Sequence, residues 1–447
     1  MKSNKYEIDM CNGSIMDKLV SFALPLMLSG ILQLMFNAVD IIVVGRFSGS
    51  EALAAVGSTT ALINVFTNLF IGISLGANVL AARFFAAGRK EEMSETVHTS
   101  ITLALISGIL MAFVGLVFSK GALELMGTPE DVIGLSTLYM RIYFMGMPFF
   151  MLYNYGAAIL RAVGDTKRPL YFLIIAGVIN AGLNMVLVIV FGLGVAGVGI
   201  ATVFSQMVSC VLVLICLCRT EGSYKLSFSK LSMKGYYLKQ IFQVGIPAGI
   251  QSTVINFSNA LLQSSVNSFG STAMAGYTAA NNILGFLYVS INSVTQACMS
   301  FTSQNYGVRK FKRMDKVLAD CAILSIIVSV VIGGGSYLLG HQILGIYTKQ
   351  EDVIQCGMEI LSISTIPYFL CGLMDMIPGS MRGVGYSAVP MILSIIGTVG
   401  TRLVWIYGVF PEHRSLYVLF MSYPVSWGLT IVMQAICLVF VRRKIRK

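Results

Sequence analysis

A carboxylate inside an apolar stretch is the group in this sequence with the clearest chemical use. Asp40 lies in the run PLMLSGILQLMFNAVDIIVVGRF, residues 25–47, which is long enough to cross a bilayer as a helix. A charge in such a run is costly, so it is expected to face a bundle interior or a water-filled cavity. A carboxyl group partly removed from water can bind and release a proton, and its ionised form can attract an organic cation. Proton and cation would then compete for one group.

Asp40 has a second interpretation, in which it lies near the end of its span and pairs with Arg46. The apolar residues Ile41–Val44 follow it directly and favour a position below the membrane surface. The sequence therefore predicts a functional carboxylate here, with a simple ion pair as the alternative.

Several uncharged polar residues could complete a site around this carboxylate. Asn37 lies three residues earlier on about the same helix face and could hydrogen-bond to it. Asn180 and Asn184 share a face of a later span, and Thr202 and Gln206 share a face of the next one. Each could line the same cavity, or could simply join neighbouring helices by hydrogen bonds, which is a common use of such residues in membranes.

A second acid, Asp375, lies deep in an apolar run of the second half. It could form a further proton or cation site with Gln251 and Asn256. Alternatively, it pairs with a neighbouring helix or caps a break caused by Pro378.

The composition indicates an integral membrane protein. Hydrophobic residues make up 56% of the 447 residues and charged residues only 11%, whereas soluble domains are about 25% charged. The net charge of +11 comes from short loops beside apolar runs, which favours topology signals and contacts with lipid headgroups over nucleic-acid binding. The cysteines lie mostly inside apolar runs without metal-ligand spacing, so we expect no bound metal or cofactor.

The apolar runs predict an all-α protein with twelve transmembrane helices. The predicted spans are roughly 18–43, 53–81, 96–118, 132–159, 168–191, 195–217, 240–266, 275–303, 318–340, 354–380, 388–408 and 416–440. Most lysines and arginines fall on the side of the two termini, which predicts that both termini are cytoplasmic. The few basic residues assigned to the opposite side are Arg46, Lys120, Lys349, Arg402 and Arg414.

An internal repeat divides the chain into two similar halves. FALP at 22–25 matches VGIP at 244–247, and LRAVG at 160–164 matches MRGVG at 381–385. The position that matches Asp40 is Leu262. Six spans in each copy would give the copies the same orientation, as in transporters with parallel repeats. We predict an N-lobe at 1–218, a cytoplasmic linker at 219–239 and a C-lobe at 240–447.

At these residues the sequence resembles the multidrug and toxic compound extrusion (MATE) family over nearly its whole length. The matching segments are the first span with Pro25 and Asp40, LRAVGDTKRP at 160–169, FGLGVAGVGIAT at 191–202, QNYG at 304–307 and MRGVG at 381–385. The resemblance implies export of amphipathic, often cationic compounds, driven by inward flow of H+ or Na+, with Asp40 as the coupling residue. The family has an acid where this chain has Asn184, and this departure favours H+ over Na+.

Other functions are less compatible with the sequence. A flippase for lipid-linked saccharides, from the same superfamily, would need a basic cavity. A membrane-embedded enzyme would need a histidine or paired-carboxylate cluster, and a channel a ring of repeated charges or a filter loop. We therefore expect a multi-pass protein of the plasma or inner membrane. Its expected partners are small molecules, H+ or Na+ and the bilayer, with no nucleic acid, and it is expected to act as a monomer.

Overall fold

The regular structure is helical throughout the computed structural model, which describes residues 6–446 and contains no strand within them. The helices of the first half are α1 (Ile15–Phe47), α2 (Ser50–Ala86), α3 (Lys90–Leu125), α4 (Glu130–Met145), α5 (Met147–Ala162), α6 (Lys167–Asn184) and α7 (Gly194–Arg219). Those of the second half are α8 (Gly235–Asn267), α9 (Ser271–Gly307), α10 (Phe311–Val328), α11 (Gly334–Leu338), α12 (Gly340–Tyr347), α13 (Glu351–Thr365), α14 (Tyr368–Gly383), α15 (Ala388–Ser394), α16 (Thr401–Val404) and α17 (Leu416–Arg446).

Wider π-helical turns interrupt several of the apolar helices without breaking them. They are Met185–Val190, Ser329–Gly333, Ile395–Gly400 and Trp405–Val409. Such turns release the regular hydrogen-bond ladder locally and often occur at functional sites.

Each of the twelve predicted spans falls on helix, so the prediction of an all-α membrane protein is confirmed. Within residues 6–446, nine helical stretches are long and apolar enough to cross a membrane. A tenth consists of α13 and α14, which are bent by 47° at a short break. Pro367 lies in that break, where its missing N–H and its ring favour the end of a helix.

The sequence repeat is also visible in the backbone. Gly164 and Gly385 end α5 and α14, and their φ angles are 94° and 95°. The turn after α2 contains Gly88 with a φ of 69°, and the matching turn after α9 contains Arg309 with a φ of 57°. Arg309 is the one non-glycine residue with a positive φ in the described part of the chain. The second half thus has the same turn without the glycine that such a φ favours.

The chain forms two compact units. The first contains the described residues up to Asp9 and Leu28–Gly249, and the second contains Met10–Met27 and Ile250 onward. Helices α1 and α8 therefore each pass from one unit to the other, shortly after Pro25 and Pro247. The predicted lobe boundaries rest on the repeat rather than on these contacts, and they stay a prediction.

The segment predicted as a linker, 219–239, is anchored to the first unit. Its regular structure before α8 is a single turn of 3-10 helix at Phe228–Lys230. Tyr224 is buried and donates a hydrogen bond to Glu7 Oε1 at 2.7 Å, and burial raises the pKa of the Tyr224 hydroxyl. The backbone N–H of Ser227 donates to His98 Nε2 at 3.1 Å.

One basic residue of the predicted outer side is buried within the protein. Arg402 lies in α16, inside the predicted span 388–408, and only 3% of it is exposed. The side of the membrane on which it lies stays a prediction, but its side chain is not a solvated flanking charge.

Candidate functional site

Asp40 is a buried acid of the first unit, and the groups that hydrogen-bond to it are uncharged. It lies on α1 and is 8% exposed. Asn184 donates a hydrogen bond from Nδ2 to Asp40 Oδ1, and Thr202 Oγ1 lies 3.4 Å from Asp40 Oδ2 in donor geometry. Both carboxylate oxygens therefore face hydrogen-bond donors. Such donors stabilise an ionised carboxylate away from water.

The local backbone of α6 and α7 positions these two donors. Asn184 is the last residue of α6, directly before the wide turn Met185–Val190. Its Nδ2 also donates to Asn180 Oδ1 at 3.1 Å, one helical turn earlier. Thr202 lies on α7, and its hydroxyl is closer to Val198 O, at 2.9 Å, than to Asp40. Asn184 is thus the main donor to Asp40, and Thr202 is a weaker one.

A close contact fixes α1 against α6 beside this cluster. A methyl group added to Gly177 would overlap the ring of Phe36, so the ring occupies the space that a side chain at this position would need. Phe36 lies one turn before Asp40, and Gly177 lies two turns before Asn184. The absence of a side chain at Gly177 therefore controls the distance between the carboxylate and its donor.

Two tyrosines near the carboxylate were missed by sequence reasoning. Tyr139 and Tyr143 on α4 lie close enough to interact electrostatically with Asp40, and their ring centroids are 6.2 Å apart. Their four-residue spacing within a predicted span was the available signal, because it places both hydroxyls on one helix face. They add polar groups and aromatic surface to the cluster.

The structure brings Asp40, Asn180, Asn184 and Thr202 together, but it does not bring Asn37 to them. Asn37 is exposed and makes no hydrogen bond to Asp40. The expected bond was wrong because residues three apart share a helix face only approximately, and the carboxylate turns toward α6 and α7. The suggested pairing of Asp40 with Arg46 is also absent from the ion pairs of the described residues.

Asp375 belongs to the second unit and has a different environment. It lies half-buried on α14, within electrostatic range of Arg382 and Tyr288. Arg382 donates from Nη2 to Gln251 Oε1 at 2.6 Å. Asn256, the other partner that the sequence suggests for Asp375, is exposed. Asp375 thus lies near a cation, whereas the partners of Asp40 are uncharged.

A conventional metal centre is not evident among the residues that the structure describes. No group of three or more His, Cys, Asp or Glu side chains in that part of the chain is placed to hold a metal ion.

Comparison with protein-family models identifies the family of this chain. The family model MatE matches residues 25–186 and again residues 247–407. The chain belongs to the MATE family. Because one model matches twice, beginning at Pro25 and at Pro247, the internal repeat is a repeat of the family unit itself. The MATE proteins are transporters rather than enzymes, so this MATE protein is a multi-pass transporter of the cell membrane, as the sequence predicted.

Curated relatives agree with this assignment. The chain is 31% identical to the "Probable multidrug resistance protein YoeA" of Bacillus subtilis, over 92% of this chain and 91% of that protein. It is 21% identical to the "Multidrug export protein MepA" of Staphylococcus aureus, over 85% and 84% of the two chains.

Solved structures show the same fold. An outward-facing multidrug resistance MATE family transporter superposes with a TM-score of 0.90 at 22% identity, covering 100% of this chain and 99% of the other. A MATE structure in complex with MaL6 gives a TM-score of 0.91 at 22% identity, with 99% of each chain covered. This similarity supports the twelve-helix, two-lobe architecture of the MATE transporters for this chain.

Proposed function

We propose that this transporter exports amphipathic, often cationic compounds in exchange for a cation, with H+ favoured over Na+ and Asp40 as the exchange group. The observation that carries the proposal is the buried Asp40 carboxylate with a hydrogen-bond donor at each oxygen. The compound class follows from the names of the relatives, which are multidrug resistance and export proteins.

The orientation of the groups around Asp40 favours a proton over a sodium ion. A metal cation needs several oxygen atoms directed at one point. Asn184 instead presents its amide nitrogen to Asp40, and the hydroxyl of Thr202 acts as a donor. These groups stabilise the carboxylate without a metal ion.

The same amide also suits the protonated state. Asn184 Oδ1 is buried and has no hydrogen-bond partner within residues 6–446. A protonated Asp40 has an O–H to donate, and rotation of the Asn184 amide would present this oxygen to it. Because Asn184 Nδ2 also donates to Asn180 Oδ1, the Asn180 amide must turn together with that of Asn184. Both states of the carboxyl group are then satisfied by two coupled side-chain rotations. This is what a group that loads and unloads protons requires.

The proposed cycle uses competition at Asp40. The ionised carboxylate attracts a cationic compound, and a proton arriving from outside neutralises it and releases the compound outward. A ligand can shift a conformational equilibrium only through its different affinity for the two states, so proton and compound must favour opposite states. Cytoplasmic termini belong to this proposal, since most lysines and arginines lie on that side.

The test is transport in proteoliposomes under separate H+ and Na+ gradients. Wild-type protein should accumulate a fluorescent organic cation when a pH gradient is imposed and respond little to Na+. Asp40→Asn should reduce the response to the pH gradient by about 10- to 100-fold, whereas Asp375→Asn, the matched control in the second unit, should retain it. Full transport by Asp40→Asn would refute the role of Asp40. If only Asp375→Asn loses the response to the pH gradient, the proton-coupling group lies in the second unit.

The same vesicles distinguish the flippase alternative and the oligomeric state. A flippase would reorient lipid-linked saccharides and would not respond to organic cations. Transport that scales linearly with protein at less than one chain per vesicle would support a functional monomer.

A further inference from the structure

A buried arginine in the second unit has no counterpart in the proposed exchange mechanism. Arg402 lies on α16, between the wide turns Ile395–Gly400 and Trp405–Val409, within the apolar stretch Ala388–Val409. It is 3% exposed. Guanidinium groups stay charged in proteins, so this helix holds a permanent positive charge away from water.

The groups that touch this charge are all neutral. Arg402 donates from Nη1 to Asn259 Oδ1 at 2.8 Å, and longer contacts reach Ser258 Oγ at 3.5 Å and Ser426 Oγ at 3.4 Å. Its guanidinium carbon lies 4.4 Å from the centroid of the Tyr423 ring. Hydrogen bonds to neutral oxygens and an aromatic face orient a guanidinium, but they do not neutralise it.

No counter-ion is present among the described residues. The acids of the second unit that form ion pairs use other partners, since Asp315 pairs with Arg442 and Arg446, and Glu351 with His341. Asp375 interacts electrostatically with Arg382 instead. A buried charge is normally paired, and the position on α8 that would match the acid of the first half is Leu262.

The unpaired charge also presents free donors. Nη2 of Arg402 has no hydrogen-bond partner within residues 6–446, while Nε and Nη1 have theirs. In the same part of the chain, the Ser258 hydroxyl and the Asn259 Nδ2 are not used as donors. These groups surround the guanidinium on α8 and can all donate to an anion. Tyr423, Tyr277 and Phe420 stack beside them and supply an aromatic wall.

We propose that Arg402, Ser258 and Asn259 form a binding site for a small monovalent anion in the second unit. The charge of the site is a single guanidinium, so one negative charge completes it. Chloride and the carboxylate group of a zwitterionic cargo share this chemistry, and they are the two possible sources. The site goes beyond the exchange proposed for Asp40, which binds positive species.

Thermal unfolding of the purified full-length protein in detergent tests the site. Gluconate should be replaced by chloride at constant ionic strength, pH and detergent concentration. We expect a saturable rise in Tm of about 2 °C at tenfold saturation. Arg402→Gln should lose the rise. Arg141→Gln is the matched control, because Arg141 is an exposed arginine of α4 in the first unit, and it should keep the rise.

The choice of anion separates the two sources. A response to chloride and bromide but not to acetate or benzoate identifies a halide site, and a response to the carboxylates alone identifies a cargo site. No response to any of these anions in the wild type, or the same response in Arg402→Gln, overturns the proposal.

A second measurement keeps the proposal testable if Arg402→Gln does not fold. Asn259→Leu retains the charge but removes a donor, and it should weaken the chloride response about tenfold in concentration. Line broadening of the 35Cl NMR signal by wild-type protein should be reversed by the competing anion that stabilises it. Unchanged affinity in Asn259→Leu together with the absence of protein-dependent broadening would assign Arg402 a purely structural role.

Discussion

The two units of this transporter bury opposite charges in similar surroundings. In the first, the negative Asp40 is held by donors from Asn184 and Thr202. In the second, the positive Arg402 is held by acceptors from Asn259, Ser258 and Ser426. Amides and hydroxyls serve both charges, because each can donate or accept. A duplicated scaffold can thus present either sign of charge.

The internal repeat shows at which positions the two units differ. Leu262 replaces Asp40 at the matching position and is fully buried. The offset that pairs these two residues also pairs Asn37 with Asn259. Asn37 is exposed in the first unit, whereas Asn259 binds the guanidinium in the second. The positive charge comes from a later helix, close to the turn Trp405–Val409 that matches Met185–Val190 after Asn184. The backbone pattern is shared, and the charge has moved to another helix.

Replacing each buried charge by a neutral residue should have the largest effect on transport. The two replacements should also distinguish the role of the first unit from that of the second. Asp40→Asn should reduce the dependence of transport on the pH gradient by about 10- to 100-fold, the range of ordinary coupling energies. Arg402→Gln should leave that dependence in place while removing the response to anions. The measurement is initial rates of organic-cation uptake across a series of imposed pH gradients. Loss of proton coupling in both variants would show that the two charges act as one site.

Gly177→Ala should damage the first unit by separating its helices. The added methyl group would meet the Phe36 ring, and overpacking of this kind typically costs about 1–3 kcal/mol. Tm should fall and transport should weaken, because Asp40 and Asn184 move apart. Gly182→Ala on the same helix is the control, since a methyl group there would meet nothing within 4 Å. Equal effects of the two substitutions would contradict the packing argument.

Asn184→Leu should shift the pH dependence of uptake and should have a smaller effect on the stability of the fold. It removes the main donor to Asp40 and leaves Asn180 Oδ1 without its partner, at a cost of about 1–3 kcal/mol. The ionised carboxylate loses stabilisation, so the pH at half-maximal uptake should move upward. Val404→Leu in the matching helix of the second unit should leave the profile unchanged. An unaltered profile in Asn184→Leu would rule out Asn184 as the donor that sets proton release.

The smallest expected effect concerns the turn after α9, where the second half has Arg309 in place of a glycine. Arg309 holds a φ of 57° where the first half has Gly88, and a positive φ costs a non-glycine residue about 1–2 kcal/mol. Arg309→Gly should therefore raise Tm slightly, and Gly88→Ala should lower it. Thermal unfolding of both variants measures the difference. A fall in Tm for Arg309→Gly would show that the arginine side chain contributes more than the strain costs.

Much of the fold was predictable because its causes are local. Continuous apolar runs predict spanning helices, and the FALP and VGIP segments reveal the repeat, so the helices and the family followed from sequence. Asp40, Asn180, Asn184 and Thr202 were predicted as a group because polar residues in apolar runs are costly and are expected to gather. The number of helices and the spacing of polar residues along them can be predicted without knowing how the helices pack.

The remaining features depend on packing between helices. Asn37 was assigned to the site by spacing alone, but the rotation of α1 turns it away. Tyr139 and Tyr143 were missed because aromatic residues in a span more often face lipid or core. The burial of Arg402 does not follow from the sequence, because it depends on how the neighbouring helices pack around it. Each error concerns the direction in which a side chain points.

Proton release on substrate binding tests the exchange at Asp40 most directly. An organic cation is added to purified protein in weakly buffered detergent solution, and the change in pH is recorded. Competition at one carboxyl group predicts that wild-type protein releases protons in proportion to the cation bound, and that Asp40→Asn releases none. Binding of the cation by wild-type protein without proton release, or undiminished release by Asp40→Asn, would contradict the exchange mechanism.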